Sequence, residues 1–257
     1  MYYNISVESG ISDFYFCSKR TNASNPPSIH SHIEFVFVLD GELSVTTDKN
    51  THILKKGDTM IIMPYEVHDY KTEKFSEIFL IACPPDYMPE HKNMLTTKEF
   101  YPPVTKFQNT AELIINDIVN SEYKDDFKKK ALLYCTLSEF VNNCKIIEKE
   151  APEFDVYRGA IAYISKHFTE NLTLEKVADY VGVTASHLSR VLNKGCKSSF
   201  PDILNSLRIY EAKRLLEQTD AAISSVAYEV GYGSIRNFNR IFKKYFGCNP
   251  RDINKHI

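Results

Sequence analysis

At 257 residues, with no tryptophan and a formal charge of −2, the chain has room for two modest domains with real cores. No apolar run approaches the roughly 18 residues a membrane-spanning helix needs, and the start, Met1-Tyr2-Tyr3-Asn4-Ile5, lacks the pattern of a secretory signal. Six cysteines (Cys17, Cys83, Cys135, Cys144, Cys196, Cys248) stand apart with no C-x-x-C pair, which argues against a disulfide framework or zinc ribbon and for a reducing cytoplasm. The charge is unevenly divided: residues 156–257 carry about +6 and the remainder about −8, a balance that suits a polyanion-binding module joined to something else.

Residues 1–85 read as strands. Apolar and β-branched runs recur at Phe14-Tyr15-Phe16, Phe35 to Leu39, Leu43 to Thr46, Asp58 to Met63 and Ile78 to Ala82. Asp40-Gly41, Asp48-Lys49-Asn50 and Lys55-Lys56-Gly57-Asp58 punctuate them as turns, so a barrel or sandwich is expected. Period-two alternation sends Phe35 and Phe37 to one face. With Tyr15, Tyr65, His68 and Tyr70 they are candidates to line an interior that holds one small molecule.

Three elements narrow the choice: His30-Ser31-His32-Ile33-Glu34 ahead of a strand that ends at Gly41, then Gly57-Asp58, then Pro64-x-x-x-His68. Their order resembles the cupin double-stranded β-barrel. The resemblance implies an effector-binding barrel whose site draws on His30, His32, Glu34, Phe35, Phe37, Tyr65, His68 and Tyr70. In metal-binding cupins the histidines and glutamate surround one ion. Counting back from Glu34, His30 takes one ligand position but Ser28 stands in another, and His32 replaces it only if the strand slips. The ligand set is therefore incomplete, and neither a metal nor a cofactor is expected.

Pro84-Pro85 and Pro89 end the sheet, and residues 86–106 read as irregular. From about Thr110 the period becomes helical, through Leu113, Ile114, Asp117, Ile118 and Ser121, with Asn109-Thr110 as cap candidates. A second helix runs from about Asp125 to Cys144, with Phe127, Ala131, Leu132, Cys135, Leu137, Phe140 and Val141 as its apolar positions. This helical extension, 86–144, is expected to pack on the barrel or to pair two subunits into a homodimer. The charged stretch 145–155, with Pro152, reads as a linker.

A phrase then occurs twice. Val177-Ala178-Asp179-Tyr180-Val181-Gly182 returns as Val226-Ala227-Tyr228-Glu229-Val230-Gly231, 49 residues on. The blocks that follow, Leu188 to Leu192 and Phe238 to Phe242, lie 50 apart, so one residue has been inserted after the second turn. Each copy reads as helix, glycine turn, helix. Thr173, Thr184 and Ser234 are cap candidates, and Pro250 opens a short last helix. The first unit buries Leu188, Val191 and Leu192 and turns Ala185, Ser186, Ser189 and Arg190 outward; Lys194, Gly195 and Lys197 close it. The second buries Phe238, Ile241, Phe242 and Tyr245 and turns out Ile235, Arg236, Asn237, Asn239 and Arg240, with Lys243 and Lys244 placed for phosphates. A helix from Phe200 to Glu217, about 27 Å long, spaces the two units about one turn of B-DNA apart.

These spacings, with Leu207-Arg208-Ile209-x-x-Ala212-Lys213-x-Leu215-Leu216 and Phe238-x-Arg240-x-Phe242-Lys243-Lys244-x-Phe246-Gly247-x-x-Pro250, closely resemble the DNA-binding domain of AraC/XylS-type transcription regulators. The departure is Leu192-Asn193-Lys194, where that family more often has Phe-Lys-Lys. The resemblance implies a multidomain α and β chain: an N-terminal cupin-like β-barrel with following helices, and a C-terminal all-α domain, 156–257, of two helix-turn-helix units. It implies a cytoplasmic regulator that binds promoter DNA and responds to a small-molecule effector. Contact with RNA polymerase, and activation more often than repression, come with it. The DNA set is Ser186, Ser189, Arg190, Lys194, Arg236, Asn237, Asn239, Arg240, Lys243 and Lys244. No catalytic triad motif, glycine-rich phosphate loop or H-E-x-x-H is present. The alternative is a metal-dependent cupin enzyme fused to a DNA-binding module.

Overall fold

The computed structural model describes residues 4–5, 16–47, 50–148, 152–196 and 198–253. Phe14, Tyr15, Asp48, Lys49 and Lys197, named above, lie outside the described residues. The chain divides into two compact units, one of residues 11–150 and one of residues 151–257 together with β1 (Asn4–Ile5).

The first unit is β-rich. Its strands are β2 (Phe16–Thr21), β3 (Asn25–Ile29), β4 (Ile33–Thr47), β5 (Thr51–Lys55), β6 (Asp58–Ile62), β7 (His68–Lys71) and β8 (Ser76–Cys83). Strand β4 belongs to two sheets. Its first part pairs with β6 and β8, and its second part with β5 and β7, all antiparallel. The switch occurs at Asp40-Gly41, which was expected to be a turn. There β4 shifts register against β8, and Gly41 takes φ +74° beside the Phe75 carbonyl, where a Cβ would collide. It is a bulge that bends one strand around a corner, the use of glycine that closes barrels.

Alternation along β4 sorts two cores. Val36, Val38, Leu43 and Val45 join Leu54, Met60, Ile62, Tyr70, Ile78 and Leu80 between the sheets. Phe35 and Phe37 point the other way, to a layer shared with Phe79, Ile81 and the helices that follow.

Those helices are α1 (Lys92–Thr97), α2 (Asn109–Asn120) and α3 (Asp126–Asn143), with strands β9 (Lys98–Tyr101) and β10 (Val104–Lys106) between α1 and α2. Residues 98–101 and 104–106 are thus strand, not irregular chain. Strand β10 pairs with β6, Val104 opposite Met60, so the barrel sheet extends beyond residue 85. Asp125 caps α3 by accepting from the Lys128 amide at 3.0 Å. The buried face of α3 is Lys129, Leu132, Leu133, Thr136, Leu137 and Phe140. Phe127, Ala131, Cys135 and Val141, placed in the same stripe by the sequence, are exposed, because that stripe merges opposite faces of the helix. Residues 145–148, expected in the linker, form β11 (Lys145–Glu148), antiparallel to β9 with Ile146 opposite Phe100. The β-branched pair Ile146-Ile147 favours that strand.

The second unit is helical: α4 (Pro152–His167), α5 (Leu174–Tyr180), α6 (Ala185–Cys196), α7 (Phe200–Gln218), α8 (Ile223–Glu229) and α9 (Ile235–Phe246). Thr173, Thr184 and Ser234 each accept an amide three residues on, as N-caps do. Gly182 and Gly231 take φ +72° and +91° in the two turns. Four residues separate α5 from α6 and five separate α8 from α9, which places the inserted residue in the second turn. Helix α7, 19 residues and about 28 Å, lies between the two pairs.

Candidate functional site

In the second unit two helices present polar faces. On α6, Leu188, Val191 and Leu192 are buried; Ser186, Arg190 and Lys194 are exposed and Ser189 is half-buried. On α9, Phe238, Ile241 and Phe242 are buried, while Arg236, Asn237, Asn239, Arg240, Lys243 and Lys244 are all exposed. Arg236, Arg240 and Lys243 follow one another at helical spacing along one edge. Arg240 Nη2 donates to Asn237 Oδ1 at 2.9 Å, so these two side chains hold one another in a fixed fork. Arginine and asparagine are the side chains that bond bidentately to guanine and adenine edges. The α6 face is smaller: Ser186 and Ser189 are short, and Asn193 turns back to the Ser189 carbonyl at 2.8 Å.

In the first unit, β4 sends Glu34 inward on the face opposite Phe35. Glu34 Oε2 lies 3.0 Å from His30 Nε2 and 3.8 Å from His68 Nε2, and Glu34 Oε1 accepts from Tyr70 Oη at 2.5 Å. The ring protons follow from the partners. His68 Nδ1 faces the Glu66 carbonyl at 3.0 Å and must donate, which leaves its Nε2 bare beside the Ser28 hydroxyl at 3.2 Å. Both nitrogens of His30 face acceptors, the His32 carbonyl at 3.1 Å and the Glu34 carboxylate at 3.0 Å.

Burial pushes Glu34 up, but the His30 hydrogen bond, the two imidazoles and Tyr70 outweigh it and hold the carboxyl at about 2. Burial and the neighbouring His30 push His68 down to about 4, so it is neutral at pH 7. Tyr70 is raised well above its usual range by burial and by Glu34.

The sequence-predicted barrel residues thus separate. His30, Glu34, His68 and Tyr70 come together. His32 is buried, but its ring sits 6.0 Å from that of His30 and stays outside the cluster. Tyr65 donates its amide to the His30 carbonyl at 2.8 Å and takes φ +65° in the turn before β7. Phe35 and Phe37 do not line the interior. They pack on Phe140 at 5.9 Å and Phe107 at 5.5 Å, on the helix side of the sheet, because an odd residue count separates them from Glu34. Ser28, read only as a missing ligand, is a member of the network.

The donor atoms of His30, Glu34 and His68 lie within 4.8 Å of one another, so the three residues fit a divalent cation of the kind that takes imidazole and carboxylate, provided His30 gives up its Nε2 proton. The cluster is already satisfied by its own ion pair. Incubation with a chelator is therefore expected to leave the melting temperature of the 11–150 unit unchanged. A drop that one added metal reverses would contradict this.

Comparison with known proteins places both units. Residues 177–256 match a helix-turn-helix domain model, and residues 19–79 match a cupin domain model. This pair of domains is the one found in AraC/XylS-type regulators. An HTH-type transcriptional regulator of Staphylococcus aureus (strain MSSA476) is 24% identical to this chain over 229 residues, 84% of the chain and 30% of the relative. The HTH-type transcriptional activator RhaS of Enterobacter sp. (strain 638) is 32% identical over 93 residues, 36% of the chain and 34% of the relative. The chain thus spans about a third of the length of these curated relatives. The crystal structure of ToxT from Vibrio cholerae O395 shares the fold at 11% identity, with a TM-score of 0.59 over 92% of this chain and 95% of that one.

Proposed function

We propose that the chain is a sequence-specific transcription regulator: the 156–257 domain binds double-stranded promoter DNA, and the 1–85 barrel binds a small-molecule effector. The observation that carries the reading is α9. Its buried face is entirely aromatic or aliphatic, and its exposed face offers Arg236, Asn237, Asn239, Arg240, Lys243 and Lys244. Arg236 and the Asn237–Arg240 fork are the base readers of this reading, and Lys243 and Lys244 hold phosphate. Helix α6, through Ser186, Ser189, Arg190 and Lys194, adds a second and weaker contact. No helix among the described residues is long and apolar enough to cross a membrane, in keeping with a cytoplasmic regulator.

The polar partners for an effector are His30, Glu34, His68 and Tyr70. Effector binding regulates only if it favours one arrangement of the protein over another. Catalysis is no part of the reading: the three candidate metal ligands are engaged with one another, and the relatives' names are those of transcription regulators. Homodimerisation is assigned to the exposed face of α3, where Phe127 is 88% exposed, and RNA polymerase is the partner on promoter DNA.

Arg236→Ala is expected to weaken binding of the full chain to its preferred DNA by about 1–3 kcal/mol and to relax preference at one base position. Lys244→Ala should weaken binding to all sequences alike and reduce the salt slope by about one. An Arg236→Ala isotherm that overlays the wild type would remove α9 from the reading role.

A further inference from the structure

The doubled unit leaves open whether two helix-turn-helix pairs on one chain act as one reader or as two. Three elements converge on one side chain that neither reading face uses. Arg208 stands on α7. Its Nε donates to the Phe168 carbonyl and its Nη2 to the Glu170 carbonyl, each at 2.7 Å. Both carbonyls lie just past the end of α4, where the helix dipole favours a cation; that of Glu170 also accepts from the Leu172 amide at 2.8 Å. Helix α4 packs on α5 and α6, so this end of the fork grips the first helix-turn-helix pair. The guanidinium carbon also lies 5.6 Å from the ring centre of Tyr232, in the turn between α8 and α9. Tyr232 is 3% exposed and its hydroxyl donates to Asn205 Oδ1, one turn before Arg208 on α7, at 2.9 Å.

The two glycine turns differ in the same place. A Cβ on Gly182 would meet nothing within 4 Å, so the first turn needs glycine for its backbone angle alone. A Cβ on Gly231 would stand 2.5 Å from the Thr169 carbonyl oxygen and 3.0 Å from Arg208 Nε. The second turn therefore presses directly against the loop that follows α4, and the Arg208 fork closes that contact from the side.

We infer that Arg208 is a positioning residue that clamps the two helix-turn-helix units into one rigid DNA reader with a fixed spacing between α6 and α9. It touches no DNA in this role; it acts through the Phe168–Glu170 carbonyls and Tyr232. Lysine is a poor replacement, because a compact ammonium on a flexible stem lacks the planar fork that holds both carbonyls while it stands over the ring. The functional part of the inference rests on the DNA-binding reading, whereas the clamp itself is a property of the unit with or without DNA.

The test uses the full chain with p-acetylphenylalanine in place of the exposed Glu175 on α5 and Glu229 on α8, spin-labelled through the ketone so that the cysteines are untouched. Pulsed dipolar spectroscopy without DNA should give one narrow distance distribution in the parent and a clearly broader one in Arg208→Lys. Arg208→Lys keeps the charge and is expected to stay folded; Arg208→Ala is the harsher companion. An Arg208→Lys distribution as narrow as the parent's overturns the clamp. On DNA the parent should lose binding when two base pairs are inserted between its contacts. Arg208→Lys should bind the native spacing about tenfold more weakly yet tolerate the insertion. Equal sensitivity to spacing in both proteins also overturns the clamp. If neither protein selects any DNA sequence, the DNA-binding reading fails, and the distance distributions still decide the clamp.

Discussion

Replacing Phe238 by alanine should lower the stability of the 151–257 unit by about 3–5 kcal/mol. Phe238 is fully buried at the centre of a cluster with Ile209, Ala212, Val226, Val230, Ile241 and Phe242, and its ring packs on Phe242 at 5.5 Å and on Tyr232 at 5.5 Å. It is the residue through which α9 is fixed to α7 and α8. Its loss leaves a cavity where three helices meet, and neighbours that close on such a cavity must tilt the reading helix. Differential scanning calorimetry should show the transition of the 151–257 unit falling while that of the 11–150 unit holds. DNA binding should fall with it, although Phe238 faces away from the polar surface. A transition unmoved by the substitution would mean that α9 is held by something other than its aromatic face.

Glu34→Ala is expected to cost the 11–150 unit about 3 kcal/mol or more. The change removes the acceptor that His30 Nε2 and Tyr70 Oη share and leaves both polar groups without it inside the barrel. Glu34→Gln preserves shape and one acceptor and should recover part of the loss. The pH dependence has a definite sign. Glu34 drops from 4.5 when unfolded to about 2 when folded, so its contribution is complete above pH 4.5 and vanishes as pH falls toward 2. His68 drops from 6.5 to about 4, so its contribution is complete above pH 6.5 and is lost as pH falls through about 4. The unit should therefore lose stability steadily below about pH 6.5, in two overlapping stages. Glu34→Ala removes the lower stage, which a series of urea titrations between pH 3 and 7 would read.

The helical unit was largely legible because its signals are local. A repeated phrase, two glycines at the turns and three hydroxyl caps mark the ends of helices by hydrogen bonds spanning three residues, and those bonds are present in the structure. The barrel was legible as strands but not as faces. Alternation correctly joined Phe35 with Phe37, yet nothing in a period of two says which side is the interior. Helices α2 and α3 cover the outer side of the sheet, so both sides are apolar and the polar residue Glu34 marks the inside. The same two-sided burial hid the bulge at Gly41, which reads as a turn until a long strand is known to run through it. Helix α3 misled for a related reason: Phe127 and Val141 are apolar and exposed, so hydrophobicity alone gave the wrong rotation. Arg208 was visible only as a family pattern, since its partners lie about 40 residues before it and 24 after it in the chain.

The direct test of DNA reading is selection from a random duplex library by the full chain, followed by sequencing. The account predicts an enriched site of two blocks about one helical turn, or roughly 10 base pairs, apart, one sharper than the other. The sharper block should lose definition in Arg236→Ala and the weaker one in Arg190→Ala. Recovery of sequences no different from the starting library would contradict the account.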